Sequence, residues 1–267
     1  MRLEGKVAVV TGSSRGVGRA VALALAREGC DVVVAAKTET PHARLPGTIG
    51  ETAEAVRALG RRALPVKCNV REFEDVERMR DAALDAFGRI DLLINNAGAI
   101  HWAPVAEFAP GRYDLVMEVN VRAAFLCSRA LLPELRKREG HIVMMSPPVN
   151  LAKIAGKAPY MISKMGMTMI MHAIAQEEPA VHTHALWPVT LIESEATRHF
   201  ELGKPEEWRK AEILADATVE LCCSTDLSGR ALFDEDVLRD KRGLRDFSAY
   251  SVVPGTTPAP VCREMVE

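Results

Sequence analysis

Short apolar runs alternate with longer amphipathic segments along the whole chain, and this alternation constrains the fold more than any single motif. Val7 to Val10, Val32 to Ala36, Leu64 to Val66, Leu92 to Ile94, Ile142 to Met145, Ala185 to Trp187 and Ala231 to Phe233 have the length and side chains of strands. Gly18–Arg27, Glu51–Leu59, Glu72–Phe87 and Tyr113–Leu132 carry apolar residues at helical spacing. Such alternation lays strands in parallel under helices on both faces, and nearly all-apolar strands suit a sheet buried on both sides. The expected fold is α/β, a doubly wound parallel sheet of about seven strands with residues 1–267 as one domain. Pro179 and Pro188 bracket one strand. The polar stretch Thr190 to Arg209 breaks the pattern, so a substrate lid is expected over 190–213, and an extended tail from 253.

Composition narrows the partners. With hydrophobic residues at 48% and charged residues at 26%, the chain can fill a core and is not a disordered one. A net charge of -2 provides no bulk cationic field, so neither nucleic acid nor an anionic membrane is expected. The six cysteines include no C-x-x-C pair, and Cys30, Cys68 and Cys127 sit in apolar runs. Reduced thiols in a cytoplasmic setting are the expectation. The N-terminal residues lack the apolar core of a signal peptide, and no run of about 18 apolar residues offers a membrane span.

After the first strand comes Thr11-Gly12-Ser13-Ser14-Arg15-Gly16-Val17-Gly18, glycines in a G-x-x-x-G-x-G spacing between a strand and an Ala/Leu helix. Gly12 permits a tight turn, Gly16 lets backbone approach a pyrophosphate, and Gly18 allows the helix to pack closely on the sheet. The helix N-terminus offers free N–H groups to the phosphate anion. At the end of the second strand, where NAD-selective sites carry a carboxylate for the ribose, stand Ala36 and then Lys37. Together with Arg15 this suits a 2′-phosphate and points to NADP(H). Lys37 as a solvated loop residue is the neutral alternative.

Tyr160-Met161-Ile162-Ser163-Lys164 places a phenol and an ammonium four residues apart, after a Pro159 suited to a first helical turn. Residues at that spacing share a helix face. A free phenol is a poor acid–base group at neutral pH, and a nearby cation lowers its pKa. The pair is therefore read as a tuned proton donor for a carbonyl oxygen.

In this order, Thr11–Gly18, Asn95-Asn96-Ala97-Gly98, Asn120 within Glu118-Val119-Asn120-Val121, and Tyr160–Lys164 resemble the short-chain dehydrogenase/reductase family over roughly residues 5 to 235. The resemblance implies a Rossmann-type sheet and hydride transfer between a nicotinamide and an alcohol/carbonyl pair. It makes Asn120, Tyr160 and Lys164 catalytic: Tyr160 as acid–base, Lys164 on the nicotinamide ribose, Asn120 on a relay water. The implied cofactor contacts are Gly12, Ser14, Arg15, Gly16, Val17, Gly18 and Lys37, then Asn69 and Val70 near adenine, then Asn96, Ala97 and Gly98 by the ribose. Tyr160, Lys164, Pro188, Ile192 and Ser194 complete that set. No metal is expected. A homodimer or homotetramer is implied, through the helix of Asn120 and the Met-rich helix of Met161, Met165, Met167, Met169 and Met171. By their chemistry, Asn95 and Asn96 could equally be turn residues closing a strand.

The chain departs from the family pattern at two places. Thirteen residues before Tyr160 the family usually has a serine that hydrogen-bonds the substrate oxygen; here it is Pro147, without hydroxyl or N–H. Ser146 could stand in only if the strand has already ended. Val189 replaces the glycine usual after Pro188, with one extra loop residue before Ile192 and Ser194. Two readings follow: an NADP(H)-dependent oxidoreductase on a small carbonyl or alcohol, a lipid-like one included, or a nucleotide-binding or sensing protein with weak residual chemistry. His182-Thr183-His184 lacks a ligand partner and is expected to flank a strand. His101 and Trp102 fall where relatives line the substrate pocket, and a loop aromatic packed on the core explains Trp102 nearly as well.

Overall fold

A computed structural model describes residues 1–41, 46–149, 151 and 154–263. Its elements run β1 Val7–Thr11, α1 Gly16–Arg27, β2 Asp31–Ala36, α2 Ile49–Arg57, β3 Ala63–Lys67, α3 Phe73–Phe87, β4 Leu92–Asn95, α4 Pro110–Met117, a π-helical turn Glu118–Arg122, α5 Ala123–Arg136 and β5 His141–Met145. Then come α6 Ala158–Glu177, β6 His182–Trp187, β7 Leu191–Ile192, α7 Glu195–His199, β8 Trp208–Arg209, α8 Glu212–Cys222, β9 Arg230–Phe233 and α9 Asp234–Arg242. The seven-stranded sheet has the order β3-β2-β1-β4-β5-β6-β9, and every pairing in it is parallel.

The period-2 geometry of the strands divides the apolar residues between two cores. Ala8, Val10, Val32 and Val34 pack with α1, α2, α8 and α9. Val7, Val9, Val33 and Leu93 face the other way, onto α3, α5 and α6. Covering both faces buries all five residues of β1 and all six of β2. The strand order reverses at β1, which pairs with β2 on one side and β4 on the other. In such sheets the ligand crevice opens beyond the carboxyl ends of the strands at that reversal.

The structure departs from the sequence reading locally. The helical pattern Tyr113–Leu132 is two helices joined by the π-turn that carries Asn120. The stretch after Pro188 is not pattern-free: β7 and β8 pair in a small second sheet flanking α7. Residues 212 and 213, inside the 190–213 stretch expected as a lid, belong to α8, with Ile213 in the core. His182 and His184 lie within β6 rather than beside it, against His141 of β5, with His141 Nδ1 3.4 Å from His184 Nε2. Burial holds His141 down to about 3 and His184 to about 4, so both imidazoles are neutral. The tail from 253 folds back onto the body, where the Cys262 N–H donates to Val189 C=O at 3.0 Å; its last residues, 264–267, lie outside the described residues. All six cysteines are free thiols, five of them buried. Among the described residues no helix is long and apolar enough to cross a membrane.

Asp234, at the start of α9, is buried and fastens that helix to the loop after β6. Its Oδ1 accepts from the N–H of Val189 at 3.0 Å and of Glu235 at 2.8 Å, while among the described residues Oδ2 has no partner. Burial pushes this carboxyl up to about 7. A carboxyl that binds its proton more tightly folded than unfolded stabilises the protein below its unfolded value, and that stability is lost as pH rises through the folded value. The melting temperature is therefore expected to fall as pH rises from about 4 to about 7, with about 1.4 kcal/mol lost for each tenfold gain in proton affinity that folding gives the carboxyl. Asp234→Asn should flatten this slope, which thermal unfolding across the pH range reads directly.

Candidate active site

The loop after β1 and the loop after β4 are tied together before any ligand arrives. Thr11 Oγ1 accepts from the N–H of Asn96 at 3.0 Å and of Ala97 at 3.1 Å, and donates to Ile94 C=O at 3.1 Å. The Asn96 amide donates to the Thr11 and Gly12 carbonyls at 2.9 and 3.2 Å. The tie leaves no room for a side chain. A Cβ at Gly12 would stand 2.8 Å from Ala97 Cα, and one at Gly18 only 2.5 Å from the Gly12 carbonyl oxygen. Asn95 and Asn96 thus do close a strand, and Asn96 also braces the glycine loop.

One cavity of about 670 Å³ opens beyond these strand ends. It gathers most of the residues singled out in the sequence: Gly12, Ser14, Arg15 and Val17 from the first loop, Lys37, Asn69 and Val70, Asn96 to Gly98, Tyr160 and Lys164, and Pro188, Ile192 and Ser194. Gly16 lines a neighbouring cleft, and Gly18 and Asn120 are buried behind the wall. Among its described lining residues there is no Asp or Glu, whereas Arg15, Lys37, Lys157 and Lys164 all border it. A chain of net charge -2 therefore encloses a cationic cavity.

Three observations fit a dinucleotide. The first turn of α1 holds no acidic residue and its N-cap Arg15 makes no side-chain cap, so its N–H groups stay available for a pyrophosphate. Among the described residues the Oδ1 of Asn69 is a buried acceptor without a donor, as an adenine amino group would require. At the end of β2, Glu39 is paired with Lys67 at 2.7 Å, and among the described residues no carboxylate pairs with the exposed Lys37. Arg15 lies across this end, donating to Thr38 Oγ1 at 3.2 Å and to the Pro46 and Gly47 carbonyls.

At the other end of the cavity α6 begins at Ala158 with Pro159 in its first turn, and it carries Tyr160 and Lys164 one turn apart. Lys164 Nζ lies 5.8 Å from the Tyr160 ring centre and donates to Met145 C=O at 2.8 Å. Burial lowers Lys164 to about 8 and pushes the Tyr160 phenol above its ordinary value, Cys262 adding to that rise. Burial thus acts on the phenol in the direction opposite to the acidification expected from the i,i+4 spacing. Asn120 is clamped. Its Oδ1 accepts from Ala99 N–H at 2.7 Å, and its Nδ2 donates to Ala99 C=O at 3.0 Å and to Ser163 Oγ at 2.8 Å. A Cβ at Gly98 would be 3.6 Å from both Asn120 Oδ1 and Lys164 Nζ, so these two polar atoms converge there.

β5 ends at Met145, so Ser146 does lie past the strand. Its hydroxyl is nevertheless occupied, 3.0 Å from Thr168 Oγ1 and accepting from Trp187 Nε1 at 3.3 Å. Ser146 is thus held by two neighbours beside Pro147, with its hydroxyl accepting from the indole. Four residues at the site escaped the sequence reading. Thr11 was passed over inside the motif. Ser163, one turn from Tyr160, links Asn120 to the Tyr160 carbonyl. Lys157 and Cys262 reach the cavity from the helix start and from the tail. Only Ser163 had a visible signal, its place between the phenol and the lysine.

Comparison with known proteins agrees with this architecture. The sequence profile described as short chain dehydrogenase matches residues 6–192. Hydroxysteroid dehydrogenase-like protein 2 of Danio rerio is 39% identical over 262 residues, and that of Homo sapiens 38% over 262. Each alignment covers 95% of this chain, which spans 62% of the length of those relatives. Among solved structures, a putative dehydrogenase from Xanthomonas campestris superposes with a TM-score of 0.92 at 37% identity, covering 97% of this chain and 98% of that one. An alcohol dehydrogenase from the archaeon Thermococcus sibiricus, complexed with 5-hydroxy-NADP, reaches 0.75 at 26% identity, covering 85% and 95%.

Proposed function

The chain belongs to the short-chain dehydrogenases, oxidoreductases on a nicotinamide-binding fold, and on that premise we propose that it is an NADP(H)-dependent enzyme interconverting a carbonyl and an alcohol on an apolar, lipid-like substrate. The observation that carries this reading is the shared cavity: Tyr160 and Lys164 border the same cationic space as the glycine loop, Arg15 and Lys37. The bound nicotinamide would supply or accept the hydride. Arg15 and Lys37 would hold a 2′-phosphate, Ser14, Gly16 and Val17 the pyrophosphate, Asn69 and Val70 the adenine, and Ala97, Gly98, Pro188, Ile192 and Ser194 the remainder. Residues 1–267 would act as one domain under the lid segment.

In reduction the Tyr160 phenol gives its proton to the substrate oxygen. A developing alkoxide is a far stronger base than a phenolate, so a phenol held protonated by burial serves this direction. The Lys164 ammonium then offsets the buried phenolate. Asn120 Oδ1 and Lys164 Nζ, converging over Gly98, would hold the water that returns the proton. Exposed Phe125, Ile162, Met165 and Met169 on α5 and α6 offer an apolar face for a homodimer or homotetramer. The free thiols suit a reducing compartment such as the cytoplasm.

Carbonyl-dependent oxidation of NADPH tests the proposal. Tyr160→Phe should lower turnover about 100-fold or more; equal rates for the two proteins would sink it. Reduction should be steady through neutral pH and fall above about 8, where Lys164 loses its proton. For cofactor choice, Lys37→Asp should shift the NADPH/NADH ratio of kcat/KM toward NADH by about tenfold or more, and an unchanged ratio would refute the 2′-phosphate assignment. Because Ser146 is engaged, restoring the missing donor with Pro147→Ser should raise turnover of simple ketones by about tenfold or more, read in the same assay.

A further inference from the structure

One cation on the cavity wall is not used by the cofactor. Lys157 stands one helical turn before Tyr160 and borders the cavity, and among the described residues no carboxylate pairs with it. Its Nζ lies 5.0 Å over the ring of Trp102. The two are fixed together by the main chain, where Ala103 N–H donates to Gly156 C=O at 3.0 Å. Phe200 backs the indole from the lid segment, ring centres 6.2 Å apart. Trp102 also lines the cavity, and among the described residues its buried Nε1 has no hydrogen-bond partner. A buried donor of that kind calls for an acceptor. Ile100, Leu115, Val119 and Leu202 supply an apolar part of the wall.

Resting on the carbonyl reduction argued above, we propose that the substrate is an oxo-acid, or the matching hydroxy-acid, whose carboxylate is received by Lys157 Nζ and Trp102 Nε1 while its hydrocarbon part lies on the apolar wall. Charge selects the group. One ammonium balances the single charge of a carboxylate through a strong, charge-assisted bond, and the carboxylate's second oxygen is left to accept from the indole N–H. A neutral lipid oxygen would satisfy the indole but leave the ammonium without a counter-charge, and a phosphate would bring up to two charges against one. No acidic side chain among the described lining residues opposes an anion. Lys157 and Trp102 are thus specificity residues, Lys157 set beside the reacting centre by its place one turn before Tyr160 and Trp102 by its stacking on Lys157.

The test compares oxo-octanoates carrying the ketone at different carbons with their methyl esters, in NADPH-dependent reduction by the full chain. The acid should be preferred in kcat/KM. Lys157→Met should lower the acid/ester ratio about 10- to 100-fold, chiefly through KM, and Lys157→Arg should restore most of it. Trp102→Phe keeps a ring under Lys157 and removes only the N–H, so it should lower the ratio by a smaller factor. A second readout needs no turnover: octanoate should raise the melting temperature of the NADP-loaded wild type and not of loaded Lys157→Met. A wild type with no acid preference and no octanoate effect overturns the proposal while leaving the carbonyl reductase reading intact. Octanoate stabilisation that depends on Lys157, without turnover of any ketone, sustains the proposal and removes the reductase reading. Absence of both removes both.

Discussion

Everything at this site hangs on the tie between the ends of β1 and β4. Thr11 and Asn96 exchange side-chain and main-chain hydrogen bonds across the point where the strand order reverses. With β1 and β4 paired in parallel, the two loops are held open side by side, and the crevice exists before a ligand enters. The glycines serve this tie as much as any phosphate. Gly12 and Gly18 sit where a Cβ would collide with Ala97 or with the Gly12 carbonyl, so the loop closes only with bare backbone.

On that frame the fold builds a charge contrast. The surface mixes both signs in pairs such as Arg2 with Glu28, while the cavity is bordered by cations alone among its described charged residues. Fields in a partly enclosed, low-dielectric cleft are screened less than those on the surface, so these few cations outweigh the slightly negative whole. The same enclosure also desolvates Lys164 and Tyr160, lowering the ammonium and raising the phenol. One cause, removal from water, thus acts on both groups at that end of the cavity.

The missing serine shows how motif and geometry part company. Ser146 has the right element and lies past the strand end, but Thr168 and Trp187 engage its hydroxyl. The histidines of β6 show the reverse: they are a pair in the sequence and a trio in space once His141 of β5 lies beside them. Parallel pairing of β5 with β6 creates that neighbour, in register His141 to His182, and no local spacing announces it.

Alternation of apolar runs and amphipathic segments determined the sheet, its parallel strands and its two helical layers, because burying a strand on both faces has few solutions. The spacing of Gly12, Gly16 and Gly18 placed a bare-backbone turn between β1 and α1, and that of Tyr160 and Lys164 put them on one face, since both are short-range consequences of backbone geometry. What the tertiary structure alone decided is whatever depends on burial or on distant segments meeting: the raised phenol, the occupied Ser146, the return of Cys262 from the tail, and Trp102 brought under Lys157. Sequence spacing fixes directions within one element, whereas desolvation and long-range contact belong to the packed chain as a whole.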